Sequence, residues 1–176
     1  MSRGHCILSH GFESGPDATK VAALADVAQR LGWSHERPDY TDLDARREAG
    51  ELGDVPARLQ RLAALAFEAT SRGALVLAGS SLGAYASARV SLQVPVRGLF
   101  LMAPPPSMRA LPALDAADVP TVIVHGWDDE LIPADAVVAW ARPRRARLLL
   151  VDDGHRLSSH VRASADAFAA LLETLS

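Results

Sequence analysis

The chain has 176 residues, of which 49% are hydrophobic and 22% charged, with a formal net charge of −3. That length predicts one domain over residues 1–176 with a full core, the apolar content excludes a disordered chain, and the mildly acidic balance excludes a nucleic-acid binder. A single cysteine, Cys6, leaves no intrachain disulfide framework or cysteine-based zinc cluster, and no apolar run approaches the roughly 18 residues of a membrane span.

The first predicted element is an apolar strand over 6–9, where Cys6 reads as a small buried hydrophobe. The residues before it show no secretory h-region, so the expected location is the cytoplasm. The strand runs into Ser9-His10-Gly11-Phe12-Glu13-Ser14-Gly15-Pro16. Val21, Leu24, Val27, Ala28 and Leu31 then recur at helical spacing, which predicts a helix over 18–31 stopped by Gly32. A weaker strand over 33–37 ends at Pro38-Asp39, and the polar stretch 39–54 reads as a loop. His5 and His35 read as ordinary surface or strand residues. Asp54 caps a helix over 55–71, with Pro56 in its first turn and Leu59, Leu62, Ala63 and Ala66 on one face.

A strand over 74–78 leads into Gly79-Ser80-Ser81-Leu82-Gly83 and a helix over 82–92. The strand over 98–102 is followed by an irregular stretch, 103–120, rich in proline. The strand over 121–124 enters His125-Gly126-Trp127-Asp128-Asp129-Glu130-Leu131-Ile132-Pro133, followed by a helix over 134–141. The basic run Arg142-Pro143-Arg144-Arg145-Ala146-Arg147 reads as a solvated connection. The last strand, 147–151, enters Asp152-Asp153-Gly154-His155-Arg156-Leu157 before a final helix over 159–175. There is no internal repeat. These strands are short continuous apolar runs, as expected of strands buried on both faces. Six strands alternating with helices predict an α/β fold: a parallel sheet in a three-layer α/β/α sandwich, with chemistry at the carboxyl ends of the strands. Seventeen of the eighteen basic residues are arginine and only Lys20 is lysine, which reads as compositional bias.

Gly79-Ser80-Ser81-Leu82-Gly83 fits G-x-S-x-G between a strand and a helix, the context that gives the pattern meaning. A serine on such a sharp turn sits on strained backbone, and side chains two positions either side would collide; glycine at 79 and 83 removes the clash. Ser81 is centred between the glycines, and Ser80 is not. A serine nucleophile needs a base, and the base an orienting acid, in the chain order Ser, Asp/Glu, His. The loops after the strands at 121–124 and 147–151 supply both. Asp128 competes with Asp129 for the acid, and His160 with His155 for the base. Asp152 and Asp153 read as loop-forming acids, and His10 and His125 as histidines that satisfy loop backbone.

These residues resemble the α/β-hydrolase superfamily. His125, Gly126, Asp129 and Pro133 match its H-G-x-x-D-x-x-x-P pattern, which implies Asp129 as the acid, and Gly154-His155 matches its histidine loop. Ser9 to Pro16 with Lys20 resembles the H-G-F-x-S-x-P-x-x-x-K opening of small bacterial YqiA-type esterases. A thiol nucleophile, as in dienelactone hydrolases, does not fit an elbow that carries serine. The resemblance implies a minimal α/β-hydrolase fold with about six parallel strands and an oxyanion hole from the N–H groups of Phe12 and Leu82. The stretch 103–119 is too short for a cap domain, so the pocket is expected to be open and shallow, suited to short acyl chains. Phe12, Met102, Pro104, Trp127 and Leu157 are its expected lining.

The resulting expectation is a cytoplasmic, lidless serine hydrolase that cleaves a small-molecule ester or thioester through Ser81, His155 and Asp129. Peptidase chemistry would use the same residues. No metal, organic cofactor, nucleic acid or membrane is implied, and monomer and homodimer are both open. The competing reading is a hydrolase-fold binding or interaction protein with a vestigial site.

Overall fold

Six short strands alternate with helices along the chain, and the computed structural model describes residues 2–175. The strands are β1 (Gly4–Ser9), β2 (Ser34–Glu36), β3 (Ala74–Ser80), β4 (Gly98–Met102), β5 (Thr121–Gly126) and β6 (Arg147–Val151). The helices are α1 (Thr19–Arg30), α2 (Thr41–Asp44), α3 (Val55–Ala69), α4 (Leu82–Ser91), α5 (Ala134–Arg144) and α6 (Val161–Thr174). The strands pair in parallel in the order β2-β1-β3-β4-β5-β6.

The two-residue period of the strands sorts their side chains into two cores. Ile7, Leu75, Leu77, Leu99, Leu101 and Ile123 face α3, α4 and α5. Cys6, Leu8, Val76, Ala78, Phe100 and Val124 face α1 and α6. Both faces are thus covered, which is why the middle of each central strand is a continuous apolar run. Each fully buried Leu or Phe contributes about 1.5–3 kcal/mol of transfer free energy. The chain passes from β1 out to edge strand β2 and returns to β3 on the other side of β1. That reversal opens a crevice between the carboxyl ends of β1 and β3, the usual ligand position in such sheets.

Three sequence expectations change. Strand β6 is an edge strand with Leu149 37% exposed, so it is not buried on both faces. The stretch 39–54 holds α2 and a 3₁₀ turn, Arg47–Ala49, because Tyr40 and Leu43 are drawn into the core on the α3 side. The final helix starts at Val161, two residues later than expected.

The 103–120 stretch forms no helix or strand and no cap. It is held against α4 and α5 by hydrogen bonds from Tyr85 Oη to the Pro112 carbonyl and from Trp140 Nε1 to the Leu114 carbonyl, both 2.9 Å. The basic run is partly folded back on it, since Arg144 pairs with Asp115. Among the described residues no helix is long and apolar enough to cross a membrane.

Candidate active site

Ser81 sits between β3 and α4 with φ 53° and ψ −116°, a conformation that costs a non-glycine residue on the order of 1–3 kcal/mol. The strain is held from both sides. The Ser81 N–H donates to the Met102 carbonyl at 2.8 Å. A Cβ on Gly79 would lie 2.3 Å from the Gly83 backbone, and one on Gly83 would lie 2.2 Å from the Ser9 carbonyl oxygen. The two glycines therefore let the elbow close on itself and on the end of β1. Ser81 is followed at once by the N-terminus of α4, where free N–H groups favour negative charge.

Two further loops reach the same point. His155 Nε2 lies 2.9 Å from Ser81 Oγ, and His155 Nδ1 lies 2.8 Å from Asp129 Oδ2. A carboxylate only accepts, so Nδ1 donates, and Nε2 is left as the acceptor facing the serine hydroxyl. Asp129 is buried, and its Oδ1 accepts the N–H groups of Leu131 at 2.9 Å and Ile132 at 2.8 Å. Glu130 accepts the His155 N–H at 3.1 Å and ties the two loops together.

The competing residues lie elsewhere. Asp128 is exposed, and its side chain makes no hydrogen bond among the described residues. His160 donates to Asp153, which also accepts the N–H groups of Gly154 and Ser159, so Asp153 forms the loop. His125 Nε2 donates to the Ile132 carbonyl at 2.9 Å, and burial holds its pKa below the usual histidine value. Burial pushes the Cys6 thiol well above the ordinary cysteine range.

The loop after β1 forms the other wall. Gly11 stands so close to the elbow that a Cβ there would lie 3.6 Å from Ser81 Cβ. His10 Nδ1 donates to the Gly11 carbonyl at 2.7 Å, while Nε2 accepts the Tyr40 N–H at 3.0 Å. That arrangement needs a neutral ring, and burial lowers its pKa accordingly. Tyr40 is itself buried, and desolvation pushes its phenol up to about 12. Phe12 and Leu82 flank the serine at the mouth of the crevice.

The sequence did not point to the residue that holds this loop. Arg58, on α3, is 1% exposed. Its guanidinium donates to the His10 carbonyl at 2.8 Å and to both oxygens of Asp44 at 2.7 and 2.9 Å. Asp44 in turn accepts the Glu13 N–H at 3.1 Å. This ion pair therefore braces residues 10–13 from beneath, with the Arg58 guanidinium stacked on the Tyr40 ring at 4.4 Å. Arg58→Met leaves Asp44 buried without its partner, and the expected loss is about 3–5 kcal/mol in urea unfolding. Adding Asp44→Leu should recover part of that loss, because the stranded charge is then removed.

These walls border an open cleft of about 1480 Å³. Its sides come from the stretches 49–53 and 105–111, both read from sequence only as loops, and from Val55 and Pro56 at the start of α3. Of the five expected lining residues Phe12 lines the cleft, and the other four are corrected. Met102 and Leu157 are fully buried in the core on the α1/α6 side, and Pro104 is buried as well. Trp127 is 56% exposed and outside the cleft. Met102 contributes its backbone carbonyl instead, as the acceptor for Ser81. The actual apolar lining includes Phe12, Leu52, Val55, Met108, Leu111 and Ile132. Among the described residues no group of three or more His, Cys, Asp or Glu is arranged to hold a metal ion.

No protein-family profile matches the chain, and no curated protein matches it. Solved structures do. Est1E from Butyrivibrio proteoclasticus superposes with a TM-score of 0.79 at 18% identity, covering 99% of this chain and 88% of its own. An α/β serine hydrolase without a lid from Xanthomonas campestris gives 0.71 at 18% identity, covering 96% and 81%. At that identity the likeness is one of fold. A hydrolase of the α/β superfamily from Xanthomonas campestris pv. campestris is far nearer, with a TM-score of 0.97 and 70% identity over 98% of this chain and 99% of its own. Likeness of that degree, along nearly the full length of both proteins, makes this chain a member of the α/β-hydrolase superfamily.

Proposed function

We propose that this hydrolase cleaves a small carboxylic ester or thioester through an acyl-enzyme on Ser81. The observation that supports this most directly is the unbroken hydrogen-bond chain from Asp129 through His155 to Ser81. In the first step Ser81 Oγ attacks the substrate carbonyl and its proton passes to His155 Nε2. Asp129 stabilises the resulting imidazolium through Nδ1–H. The carbonyl oxygen becomes an oxyanion facing the N–H groups of Phe12 and Leu82. Collapse of this intermediate breaks the bond to the alcohol or thiol, which leaves with the proton from His155. Water then enters, gives its proton to His155 and releases the acid, and the proton returns to Ser81.

Leu82 suits its part because it is the first residue of α4, where an N–H has no partner within the helix. The Phe12 N–H donates to no acceptor among the described residues and is free for a substrate oxygen. Incubation with a fluorophosphonate probe tests the reading. The wild-type protein is expected to add one phosphonyl group, located on Ser81 by peptide mass mapping. A folded protein that stays unlabelled would overturn the proposal and favour a binding protein on the same fold.

A further inference from the structure

The cleft is chemically divided. On the side of α3 and α4 its wall carries the apolar side chains of Phe12, Leu52 and Met108 packed on the core, beside Glu51, Ser107 and Arg109 nearer the rim. On the side of α1 and α6 it is lined by Ser14, Thr19, Lys20, Arg156 and Ser158. Two of those five side chains are cations without a counter-ion. Lys20 Nζ donates to the Arg156 carbonyl at 2.7 Å and makes no ion pair among the described residues. Arg156 makes none either.

The carboxylates that act on Lys20 from a distance are Asp153 and Asp129, and both are engaged elsewhere. Asp153 is spent on loop N–H groups and His160, and Asp129 on His155 and two N–H groups. Of the three acids on the cleft wall, Glu13 pairs with Arg47, Glu130 holds the His155 N–H, and Glu51 lies in the 49–56 wall and makes no ion pair with Lys20 or Arg156. Partial burial draws the Lys20 pKa downward, as expected of a cation that lacks a counter-charge. The first turn of α1 holds no acid and adds to the same positive field.

Composition sharpens the point. Every other basic position in the chain is arginine, yet position 20 is lysine. An ammonium is compact and has three donors, one of which here holds the loop carbonyl beside His155. The remaining two are available to a ligand.

We propose that Lys20 and Arg156 form a subsite for a carboxylate, so that the preferred substrate is an ester with one apolar arm and one arm ending in an acid. The inference rests on the serine-esterase reading of the same cleft. It locates the apolar arm against Phe12, Leu52 and Met108, and the acid against the α1/α6 wall.

The test compares two pairs of esters that differ in that charge and the methyl group that masks it. 4-Acetoxybenzoate carries the acid on the leaving group, and its methyl ester is the neutral partner. Mono-4-nitrophenyl glutarate carries it on the acyl group, again with its methyl ester as the neutral partner, and turnover is read at the acetyl or nitrophenyl ester after subtraction of the uncatalysed rate. The wild type is expected to favour the free acid in at least one pair by about tenfold or more in kcat/KM, the size of one charge-assisted hydrogen bond. Lys20→Met should bring that ratio towards one, and the exposed Arg156→Met should lower it by a smaller factor. A wild type that favours the methyl ester in both pairs overturns the subsite. So does a Lys20→Met protein in which acid and ester fall by the same factor, since Lys20 then serves only to tether the loop. Failure to turn over all four esters, with no fluorophosphonate labelling, overturns the esterase reading itself.

Discussion

Ser81→Ala is expected to lower kcat for a 4-nitrophenyl ester by about 10⁵–10⁶-fold, the usual result of removing a serine nucleophile whose base is left with nothing to activate. The change removes one oxygen and retains Cβ, so the elbow should keep its shape. Its closure depends on the Ser81 N–H bond to Met102 and on the bare backbones of Gly79 and Gly83, none of which the hydroxyl supports. Circular dichroism and the urea midpoint are therefore expected to stay near wild-type values while turnover disappears. A variant that keeps more than a tenth of wild-type turnover would remove Ser81 from the mechanism. Residual rate above the uncatalysed reaction is still expected, because the N–H groups of Phe12 and Leu82 remain.

The second large effect falls on the acid. Asp129→Asn is expected to lower kcat by about 10⁴-fold. Asparagine fills the same space, and its oxygen can still accept the N–H groups of Leu131 and Ile132. Its amide then faces His155 Nδ1 as a donor. The ring must turn its proton to Nε2, which puts a donor where Ser81 needs an acceptor. Asp128→Asn provides the control, with turnover expected within about twofold of wild type, as for most exposed substitutions. Parallel kinetics of the two variants decide the assignment, which fails if the Asp128 change carries the large loss.

Much of this architecture was legible in the sequence because its signals are local. The run Leu75-Val76-Leu77-Ala78 can only be a strand wrapped on both sides, and the glycines around Ser81 have little use except in an elbow. The order Ser81, Asp129, His155 is the one the resemblance implies, and each residue falls in a loop after a predicted strand, so it could be read without knowledge of distances. The pocket lining could not be read this way. Met102 lies at the carboxyl end of β4, as a lining residue should, but it shares the pleat of Phe100 and so points into the α1/α6 core. Leu157 turns inward through a positive φ of 52°, which no spacing rule marks. Trp127, just past the end of β5, is exposed and does not line the cleft.

Arg58 was missed for a related reason. On a helical wheel it is one more charged residue, whereas burial beside Asp44 and the His10 carbonyl requires α2, α3 and the loop after β1 to meet. What the sequence by itself determined was the period, the turns and the local motifs around Ser81, Asp129 and His155, since each depends on neighbours within a few positions. Only the tertiary structure decided which loops wall the cleft, which face carries charge and which buried pair supports the serine. Those features depend on side chains tens of residues apart that share no pattern until the sheet brings them together.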